Sequence, residues 1–331
     1  MRHILLVGGA GYVGTIMTSH FLKKGYKVTV LDNFVYDNQF AIQPYFGDPD
    51  YKFVYGDMND NNDLETVSKD VTDVVLMAGL VGDPITKKYP EESKKINEKG
   101  VQNCMDFFQT KDINKLIFIS TCSNYGLIKE GELADENFPL NPLSLYAKAK
   151  VANEKYLLAK KGKANYTGVV LRFATAFGLS PRMRFDLSVS EFVRDVFFGE
   201  ELLVYDEHTW RPYCHVRDFA RLLELVIKAE NSNVDFEVFN AGGDINNFTK
   251  KMIIDEILIH IPEGKIKFGK QGSDPRNYRV SFSKVKNTLG FEPEFTVPYG
   301  IKELIDALKI GLFKDSLSEK NKYGNYQINY K

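Results

Sequence analysis

Short apolar runs alternate with helix-length amphipathic segments along the first half of the chain. The runs are four or five residues long, which is the length of a buried strand, and the segments between them repeat their apolar residues at helical spacing. The predicted strands are His3 to Val7, Lys27 to Leu31, Lys52 to Tyr55, Asp73 to Met77, Lys115 to Ile119 and Thr167 to Leu171. This alternation predicts an α/β protein with a doubly wound parallel sheet.

The regular pattern fades after Arg172. Gly178 to Asp186 is rich in turn residues, and the helices predicted at Ser188 to Phe198 and Asp218 to Glu230 have no strands in strict alternation with them. Val234 to Asn240 again resembles a buried strand and is expected to return to the first sheet. We therefore predict a first domain over 1–175 that is rejoined by about 234–245, a smaller, mixed and discontinuous substrate domain over 176–313, and a polar tail over 314–331.

Composition and charge exclude several classes of function. The 331 residues are 44% hydrophobic and include 43 basic and 44 acidic side chains, so the net charge is −1 and supplies no field for nucleic acid or an anionic membrane. We expect neither as a partner, and no apolar run has the length of a membrane helix. Three cysteines without paired spacing indicate a cytoplasmic protein, and five scattered histidines predict no metal site.

A glycine-rich turn follows the first predicted strand. Gly8, Gly11 and Gly14, with Tyr12 and Val13 between the last two, open the next helix, as in a Rossmann-type site where a pyrophosphate approaches the helix N-terminus.

The second strand runs into Asp32 and Asn33, about 20 residues further on. A carboxylate there binds ribose hydroxyls and repels a 2′-phosphate, so we predict NAD rather than NADP as cofactor.

Small or polar residues also follow the third and fourth strands. Asp57 and Met58 come after one, and Ala78 and Gly79 after the other, at the edge of a parallel sheet where ligands bind. Simple turn chemistry is the alternative explanation for these four residues.

Tyr146 and Lys150 are four residues apart in a segment that begins near Asn141-Pro142 and ends near Gly162. They should lie one helical turn apart on the same face. An ammonium beside a phenol favours phenolate, which would lower the pKa of Tyr146 toward the range of a general base. A surface tyrosine beside a solvated lysine would show the same spacing.

Hydroxyl groups cluster at the end of the fifth strand, where the helix of Tyr146 should bring its phenol. Thr121 could hydrogen-bond a reacting alcohol, and Ser123 lies two residues further along the chain. Alternatively, these hydroxyls only bond their own turn.

These residues together resemble an extended short-chain dehydrogenase/reductase of the sugar-nucleotide epimerase and dehydratase group, the relatives of UDP-glucose 4-epimerase. The resemblance covers most of the chain. Its marks are the glycine turn, Asp32, Gly56-Asp57, Asn97, Thr121, Tyr146 with Lys150, Leu171-Arg172-Phe173, the segment from Arg211 to Val216, and Ser283-Lys284 near Leu289-Gly290-Phe291.

The resemblance implies oxidation of a nucleoside-diphosphate sugar, usually at C4, with Tyr146 as base, Thr121 holding the alcohol and Lys150 holding the nicotinamide ribose. It adds Asn97 and Phe173 to the predicted cofactor contacts. The predicted substrate contacts are Thr121, Ser123, Thr175, Arg182, Arg184, Arg211 and Arg276. Arg211 and Arg276 suit the diphosphate, and either Arg182 or Arg184 would bind phosphate or sugar unless both are solvated loop residues.

The sequence also departs from this family's patterns. Cys122 and Ser123 stand where related dehydratases carry an Asp-Glu pair, which disfavours 4,6-dehydration. Thr175 replaces an asparagine common in the 4-epimerases, while Val81 and Pro212 replace a lysine and an aspartate of the best-known epimerase.

Several functions therefore stay open. We favour a 4-epimerase slightly over a net 4-dehydrogenase that releases a 4-keto product. A redox regulator that binds the dinucleotide without turnover, and a carbonyl or steroid reductase, are the alternatives from other classes. By analogy with many relatives, in which the helices of Asn97 and Tyr146 form the interface, we expect a homodimer.

Overall fold

The computed structural model describes residues 2–129, 131–269 and 276–330. Its strands are β1 His3–Val7, β2 Lys27–Asp32, β3 Tyr51–Tyr55, β4 Asp73–Leu76, β5 Lys115–Thr121, β6 Thr167–Phe173, β7 Thr175–Phe177, β8 Leu202–Tyr205, β9 Trp210–His215, β10 Glu237–Ala241, β11 Asn247–Thr249 and β12 Ile266–Gly269.

The α-helices are α1 Tyr12–Lys23, α2 Asn61–Ser68, α3 Asp83–Lys88, α4 Pro90–Lys94, α5 Val101–Phe108, α6 Leu145–Leu158, α7 Ser188–Phe197, α8 Val216–Lys228, α9 Asn231–Val234, α10 Lys250–His260, α11 Ser283–Leu289 and α12 Val297–Lys309. A π-helical stretch, Lys95–Gly100, joins α4 to α5, and short 3₁₀ turns occur at Gln39–Tyr45, Cys122–Tyr125 and Asp244–Asn246.

The described residues form one large sheet of seven parallel strands in the order β10-β6-β5-β4-β1-β2-β3. The order changes direction beside β1, which places a crevice at the carboxyl ends of β1 and β4. The predicted doubly wound parallel sheet is confirmed, and its six predicted strands match β1 to β6 within one or two residues at each end. β10 pairs with β6, so the chain does return to this sheet after the smaller region.

The smaller region has a separate apolar core. Two clusters cover the two faces of the large sheet, one around Ile117 and Phe239 and the other around Leu76 and Phe118. A third cluster joins α7, α10 and α12 around Ile257. In the part of the chain that the structure describes, this region holds a mixed three-stranded sheet, β11-β9-β7, and a parallel pair, β12-β8. The exact domain boundaries stay predictions.

The helix that carries Tyr146 begins later than the sequence indicates. Asn141-Pro142 predicts its start, but α6 begins at Leu145 because the Ser144 hydroxyl accepts a hydrogen bond from the Ala147 amide at 3.1 Å. Its end at Leu158 also precedes Gly162, whose φ is +72°. The helix still places Tyr146 and Lys150 one turn apart.

Among the described residues, none of the helices is both long enough and apolar enough to cross a membrane. The same residues contain no group of three or more histidines, cysteines and carboxylates arranged to hold a metal ion.

Candidate active site

A cavity of about 660 Å³ lies at the carboxyl ends of the parallel strands, between the large sheet and the smaller region. This volume is in the range of small-molecule and cofactor sites. The predicted site residues that line it are Gly8, Gly11, Tyr12, Val13, Gly14, Asp32, Asn33, Asp57, Met58, Ala78, Gly79, Thr121, Ser123, Tyr146, Lys150, Phe173, Thr175, Arg182, Arg184, Arg211 and Arg276. The structure therefore brings together residues that are more than 250 positions apart in the chain.

Asn97 is the exception, because it does not line the cavity. Its side-chain oxygen accepts a hydrogen bond from the Leu80 amide at 2.7 Å, and its amide nitrogen donates to the Leu80 carbonyl at 3.0 Å. The side chain is 3% exposed, so these bonds use both of its polar atoms inside the protein. Asn97 supports the loop of Ala78 and Gly79 that lines the cavity, and its direct contact with a cofactor stays a prediction.

The glycine turn is built for close backbone approach. A Cβ at Gly8, where φ is +87°, would lie 2.5 Å from Ala78 Cα, and one at Gly14 would lie 2.6 Å from Gly9 Cα. A Cβ at Gly11 would meet only the Gly8 carbonyl, at 3.6 Å, so its position faces open space at the N-terminus of α1. The turn fits a pyrophosphate bound by backbone N–H groups.

Asp32 lies at the end of β2, beside this turn. Its two oxygens accept hydrogen bonds from the Ala10 and Phe34 amides at 3.0 and 2.9 Å. Burial raises the pKa of Asp32, and these backbone bonds oppose the shift. The carboxylate is thus held in one orientation at the cavity wall, where it fits ribose hydroxyls.

Tyr146 and Lys150 face the same end of the cavity as Thr121. The Lys150 ammonium donates a hydrogen bond to the Ile119 carbonyl at 2.7 Å and lies 5.8 Å from the centre of the Tyr146 ring. Lys150 is 4% exposed, so the alternative of a solvated surface pair is wrong.

The electrostatics of this pair differ from the prediction that Lys150 lowers the pKa of Tyr146. Burial raises the pKa of Tyr146 above its ordinary value, and the cation that opposes this shift is Arg184, whereas the Asp83 carboxylate adds to it. Burial also lowers the pKa of Lys150 to about 7, against the raising effect of Glu154. In the protein alone, burial thus favours the neutral forms of both groups.

Part of the hydroxyl cluster at the end of β5 bonds its own turn, as the alternative explanation predicted. Thr121 Oγ1 accepts a hydrogen bond from the Ser123 amide at 3.1 Å, which is a local turn contact, while its hydroxyl hydrogen is available for donation. Ser123 Oγ lies 3.2 Å from the phenol oxygen of Tyr278, a cavity residue that the sequence did not single out.

Cys122, between them, points elsewhere. Its thiol contacts the Arg172 carbonyl at 3.1 Å, and burial raises the pKa of the thiol. A buried thiol that does not line the cavity is not placed to donate a proton to a bound sugar, and its raised pKa makes it a weak acid.

A buried ion pair holds this end of the sheet in place. The Arg172 guanidinium lies 2.8 Å from Glu154, one turn beyond Lys150 on α6, and the two side chains are 6% and 2% exposed. Glu154 also accepts hydrogen bonds from Ser120 at 2.5 Å and from Asn124 at 2.7 Å. The network connects α6 to β5 and β6, and so fixes the distance between Tyr146 and Thr121.

Arg182 and Arg184 differ in their partners, although both are nearly buried. Arg182 is 2% exposed and donates to the carbonyls of Met183 and Gly324 and to the Asn325 side chain. Arg184 forms a two-pronged ion pair with Asp186 at 2.9 and 2.6 Å. The alternative of a solvated loop pair is therefore wrong, and Arg184 is the one whose charge acts on Tyr146.

Arg211 and Arg276 line the cavity beside the smaller region. The Arg211 guanidinium lies 4.9 Å from the centre of the Tyr278 ring, and Arg276 is 3.4 Å from the Asp83 carboxylate. Tyr278 thus lies between Arg211 and Ser123 of the hydroxyl cluster.

The end of the predicted polar tail also forms part of the site, which the sequence did not indicate. Residues 323–330, here called the C-terminal strap, run from the smaller region to the large sheet. At one end, Tyr323 and Asn325 bond Phe185 and Arg182. At the other, the Asn329 amide donates to the Val35 carbonyl at 2.7 Å, and the Tyr330 hydroxyl donates to Asp57 at 2.7 Å. Between these ends, Asn325 and Tyr326 line the cavity.

Comparison with known proteins agrees with this geometry. The family model described as the NAD dependent epimerase/dehydratase family matches residues 4–242. A dTDP-glucose 4,6-dehydratase from Streptomyces niveus is 27% identical over 321 residues, covering 92% of this chain and 91% of that protein. A UDP-glucose 4-epimerase from Halalkalibacterium halodurans is 27% identical over 316 residues, covering 88% of this chain and 91% of that protein.

Solved structures show the same fold. A UDP-glucose 4-epimerase from Thermotoga maritima with UDP-glucose has a TM-score of 0.83 at 24% identity, covering 94% of this chain and all of that one. A dTDP-glucose 4,6-dehydratase from Bacillus anthracis in complex with NAD has a TM-score of 0.82 at 24% identity, covering 97% of this chain and 100% of that one. Since the family model covers most of the chain and the glycine turn, Asp32, Tyr146 and Lys150 meet in one cavity, the chain belongs to the NAD-dependent epimerase/dehydratase family.

Proposed function

We propose that this protein oxidises and re-reduces C4 of a nucleoside-diphosphate sugar, acting as an NAD-dependent 4-epimerase. The observation that carries the proposal is the single cavity that joins the glycine turn and Asp32 to Thr121, Tyr146 and Lys150. Relatives named UDP-glucose 4-epimerase and dTDP-glucose 4,6-dehydratase align over about nine tenths of the chain. The buried Cys122 disfavours the dehydratase among these two activities.

The cofactor fits at the glycine turn. Gly11 and the first amides of α1 would hold the pyrophosphate, Asp32 the adenosine ribose, and Lys150 the nicotinamide ribose. NAD, when bound, accepts the hydride from C4 of the sugar and returns it.

The chain's own residues then move the proton. Tyr146 takes the proton of the C4 hydroxyl as the hydride leaves, and Thr121 holds the same oxygen by a hydrogen bond. The network of Glu154 and Arg172 keeps these two side chains on facing elements at a fixed separation. Return of the hydride to the other face of the 4-keto sugar, with the proton passed back from Tyr146 to the C4 oxygen, would give the C4 epimer.

The substrate diphosphate is expected to lie against Arg211 and Arg276, because planar guanidinium groups match phosphate oxygens and both line the cavity. Arg184, whose charge is balanced by Asp186, would contact a hydroxyl of the sugar from the cavity wall. Arg182 has a supporting role instead, since its donors hold the C-terminal strap.

The test is product analysis with UDP-, dTDP-, GDP- and CDP-hexoses by NMR, together with the absorbance of NADH. A 4-epimerase converts one hexose into its C4 epimer without net NADH. A 4-keto product with accumulating NADH would eliminate the epimerase and leave the net 4-dehydrogenase.

Tyr146→Phe should abolish turnover and preserve NAD binding. Tyr156→Phe is the matched control on the same helix, because the Tyr156 hydroxyl contacts only Asp106 on the surface and should leave turnover unchanged. Absence of turnover by the unaltered protein on every sugar nucleotide, with NAD bound, would support a non-catalytic redox regulator instead. Turnover of simple ketones with NADPH would support a carbonyl reductase.

We also propose a cytoplasmic homodimer. All three cysteines are free and buried, which is typical of a reducing compartment. The dimer would form through the helices that carry Asn97 and Tyr146, where Leu145 exposes 47% of its surface. Light scattering tests the oligomeric state, and a monomeric mass at micromolar concentration would refute it.

A further inference from the structure

A carboxylate that the sequence analysis did not single out lies in the wall of the cavity. Asp83 is the first residue of α3 and follows Gly82, whose φ of +117° turns the chain after the fourth strand. One oxygen, Oδ2, is 3.4 Å from Arg276. The other, Oδ1, is buried and has no hydrogen-bond partner among the described residues. A buried carboxylate oxygen without a donor is costly, and the side chain as a whole is 22% exposed and lines the cavity, so rotation of the carboxylate would bring either oxygen to a donor on a bound ligand.

The surroundings of Asp83 indicate which part of a substrate it faces. Its helix α3 packs against α6, the helix of Tyr146, and both residues line the cavity, so Asp83 lies on the side of the cavity where C4 would react. Arg276, which contacts one oxygen of Asp83, would face the diphosphate, so the carboxylate suits the neutral sugar ring beside it. The Tyr36 hydroxyl, also in the cavity wall, is a second buried polar atom without a partner among the described residues. The two groups together offer an acceptor and a donor to ring hydroxyls.

The cations that line the cavity do not cancel the preference of Asp83 for a neutral sugar. Arg184 is paired with Asp186 through two hydrogen bonds, which leaves that side of the site close to neutral. The contact of Arg276 with Asp83 is long, at 3.4 Å, and uses only one of the two carboxylate oxygens. A second carboxylate brought to Oδ1 would meet the unpaired side of Asp83.

We propose that Asp83 determines the sugar specificity of the enzyme. It accepts a hydrogen bond from a hydroxyl or amino group of the sugar, and it excludes nucleotide hexuronic acids by charge repulsion. This inference rests on the proposed function and deepens it by naming the class of sugar.

The test compares kcat/KM for a nucleotide hexose and for the matching hexuronic acid. The first pair is UDP-glucose and UDP-glucuronic acid. The comparison is then repeated with the nucleotide that the panel of UDP-, dTDP-, GDP- and CDP-hexoses identifies as the substrate's. Asp83→Asn keeps the shape and one acceptor oxygen but removes the charge. It should reduce the preference for the hexose by roughly tenfold or more. Asp83→Ala removes the acceptor as well and should also lower kcat/KM for the hexose. Asp60→Asn, a surface carboxylate that caps α2, is the control and should change neither value.

A pH profile separates this role from a structural one. Tyr146 is surrounded by Asp83, Arg184, Tyr36 and Tyr278, with Lys150 beside its ring. The Asp83 charge opposes phenolate formation, so its removal lowers the pKa of Tyr146. The acidic limb of kcat/KM for Asp83→Asn should therefore move to lower pH.

Two results would overturn the proposal. One is an active Asp83→Asn enzyme with an unchanged hexose to hexuronic acid ratio. The other is a wild-type enzyme that prefers the hexuronic acid. If no sugar nucleotide turns over, the proposed function fails separately. Calorimetric titration of the two UDP-sugars into the NAD-loaded protein then still decides whether Asp83 discriminates between them, because equal affinities would contradict it.

Discussion

Asn325 is one of the residues that join the C-terminal strap to the interior, and its replacement is a direct test of that arrangement. Its side chain accepts a hydrogen bond from the Arg182 guanidinium at 3.2 Å, and the two residues are 8% and 2% exposed. A hydrogen bond to a charged group contributes about 1.5–3 kcal/mol. Because Arg182 retains the carbonyls of Met183 and Gly324, we expect Asn325→Ala to cost the lower value. A loss of about 1.4 kcal/mol raises the population of the opened strap about tenfold.

Hydrogen exchange measures this opening at both ends of the strap. The Phe185 amide donates to Tyr323, and the Asn329 amide donates to Val35. If the strap opens as one unit, Asn325→Ala should accelerate exchange at both amides by the same factor, about tenfold. The variant should also lose more NAD during gel filtration than the wild type, since the Tyr330 hydroxyl of the strap binds Asp57, a predicted cofactor residue that lines the cavity.

Lys302→Ala is the control, because Lys302 lies on α12, outside the strap, and pairs with Asp306 at the surface. Such an exposed pair contributes little, so exchange at Phe185 and Asn329 should stay unchanged. Unchanged exchange in Asn325→Ala, or acceleration at only one end, would refute the reasoning that the strap is a single closed unit.

Other contacts around the cavity give further expectations. Gly14→Ala should abolish NAD binding in a fluorescence titration, because its Cβ would lie 2.6 Å from Gly9 Cα; normal affinity would contradict the fit of the turn. Glu154→Gln should lower the thermal midpoint sharply, since removing one partner of a buried pair costs about 3–5 kcal/mol. The double variant Glu154→Gln/Arg172→Met should recover part of the lost thermal midpoint, because it removes the unpaired guanidinium of Arg172. If the midpoint does not recover, an unpaired buried charge is not the cause of the loss. The pKa of Lys150, lowered by burial to about 7, predicts acylation of the free enzyme with a midpoint near pH 7 in mass spectrometry; a midpoint like that of exposed lysines would contradict it.

Short-range signals were enough to predict the frame of the site. The apolar runs predicted β1 to β6, and residues at the ends of these strands necessarily meet at one edge of a parallel sheet. The spacing of Tyr146 and Lys150 predicted a shared helical face, which α6 provides. Such inferences need only the period of the local structure and the direction of the chain.

The start of α6 shows where competing local signals become ambiguous. Asn141-Pro142 and Ser144 are both acceptable start signals within four residues of each other. The Ser144 hydroxyl reaches the Ala147 amide, and this contact decides the boundary. The choice depends on the path of the preceding loop, where the Asn141 amide bonds the Asn124 carbonyl from the end of the fifth strand. That contact cannot be inferred from the segment alone.

The strap could not be predicted for a different reason. Its residues lack an apolar period, which is typical of a solvated tail. Its order comes from partners far away in the sequence: Asn325 contacts Arg182, and Tyr330 contacts Asp57. A polar segment can be fixed by hydrogen bonds to groups that are already buried, and composition does not report such bonds.

The acidity of Tyr146 has the same long-range origin. The helical spacing established that Lys150 could reach the phenol, but the Ile119 carbonyl binds the ammonium in the protein alone. The charges that act on Tyr146 come instead from Arg184, before α7, and from Asp83, at the start of α3. Because Asp83 also lines the cavity, a change in this one side chain should alter both the pH dependence and the choice of sugar. The two properties are coupled by geometry, and measuring them in the same variant tests whether a single carboxylate controls both.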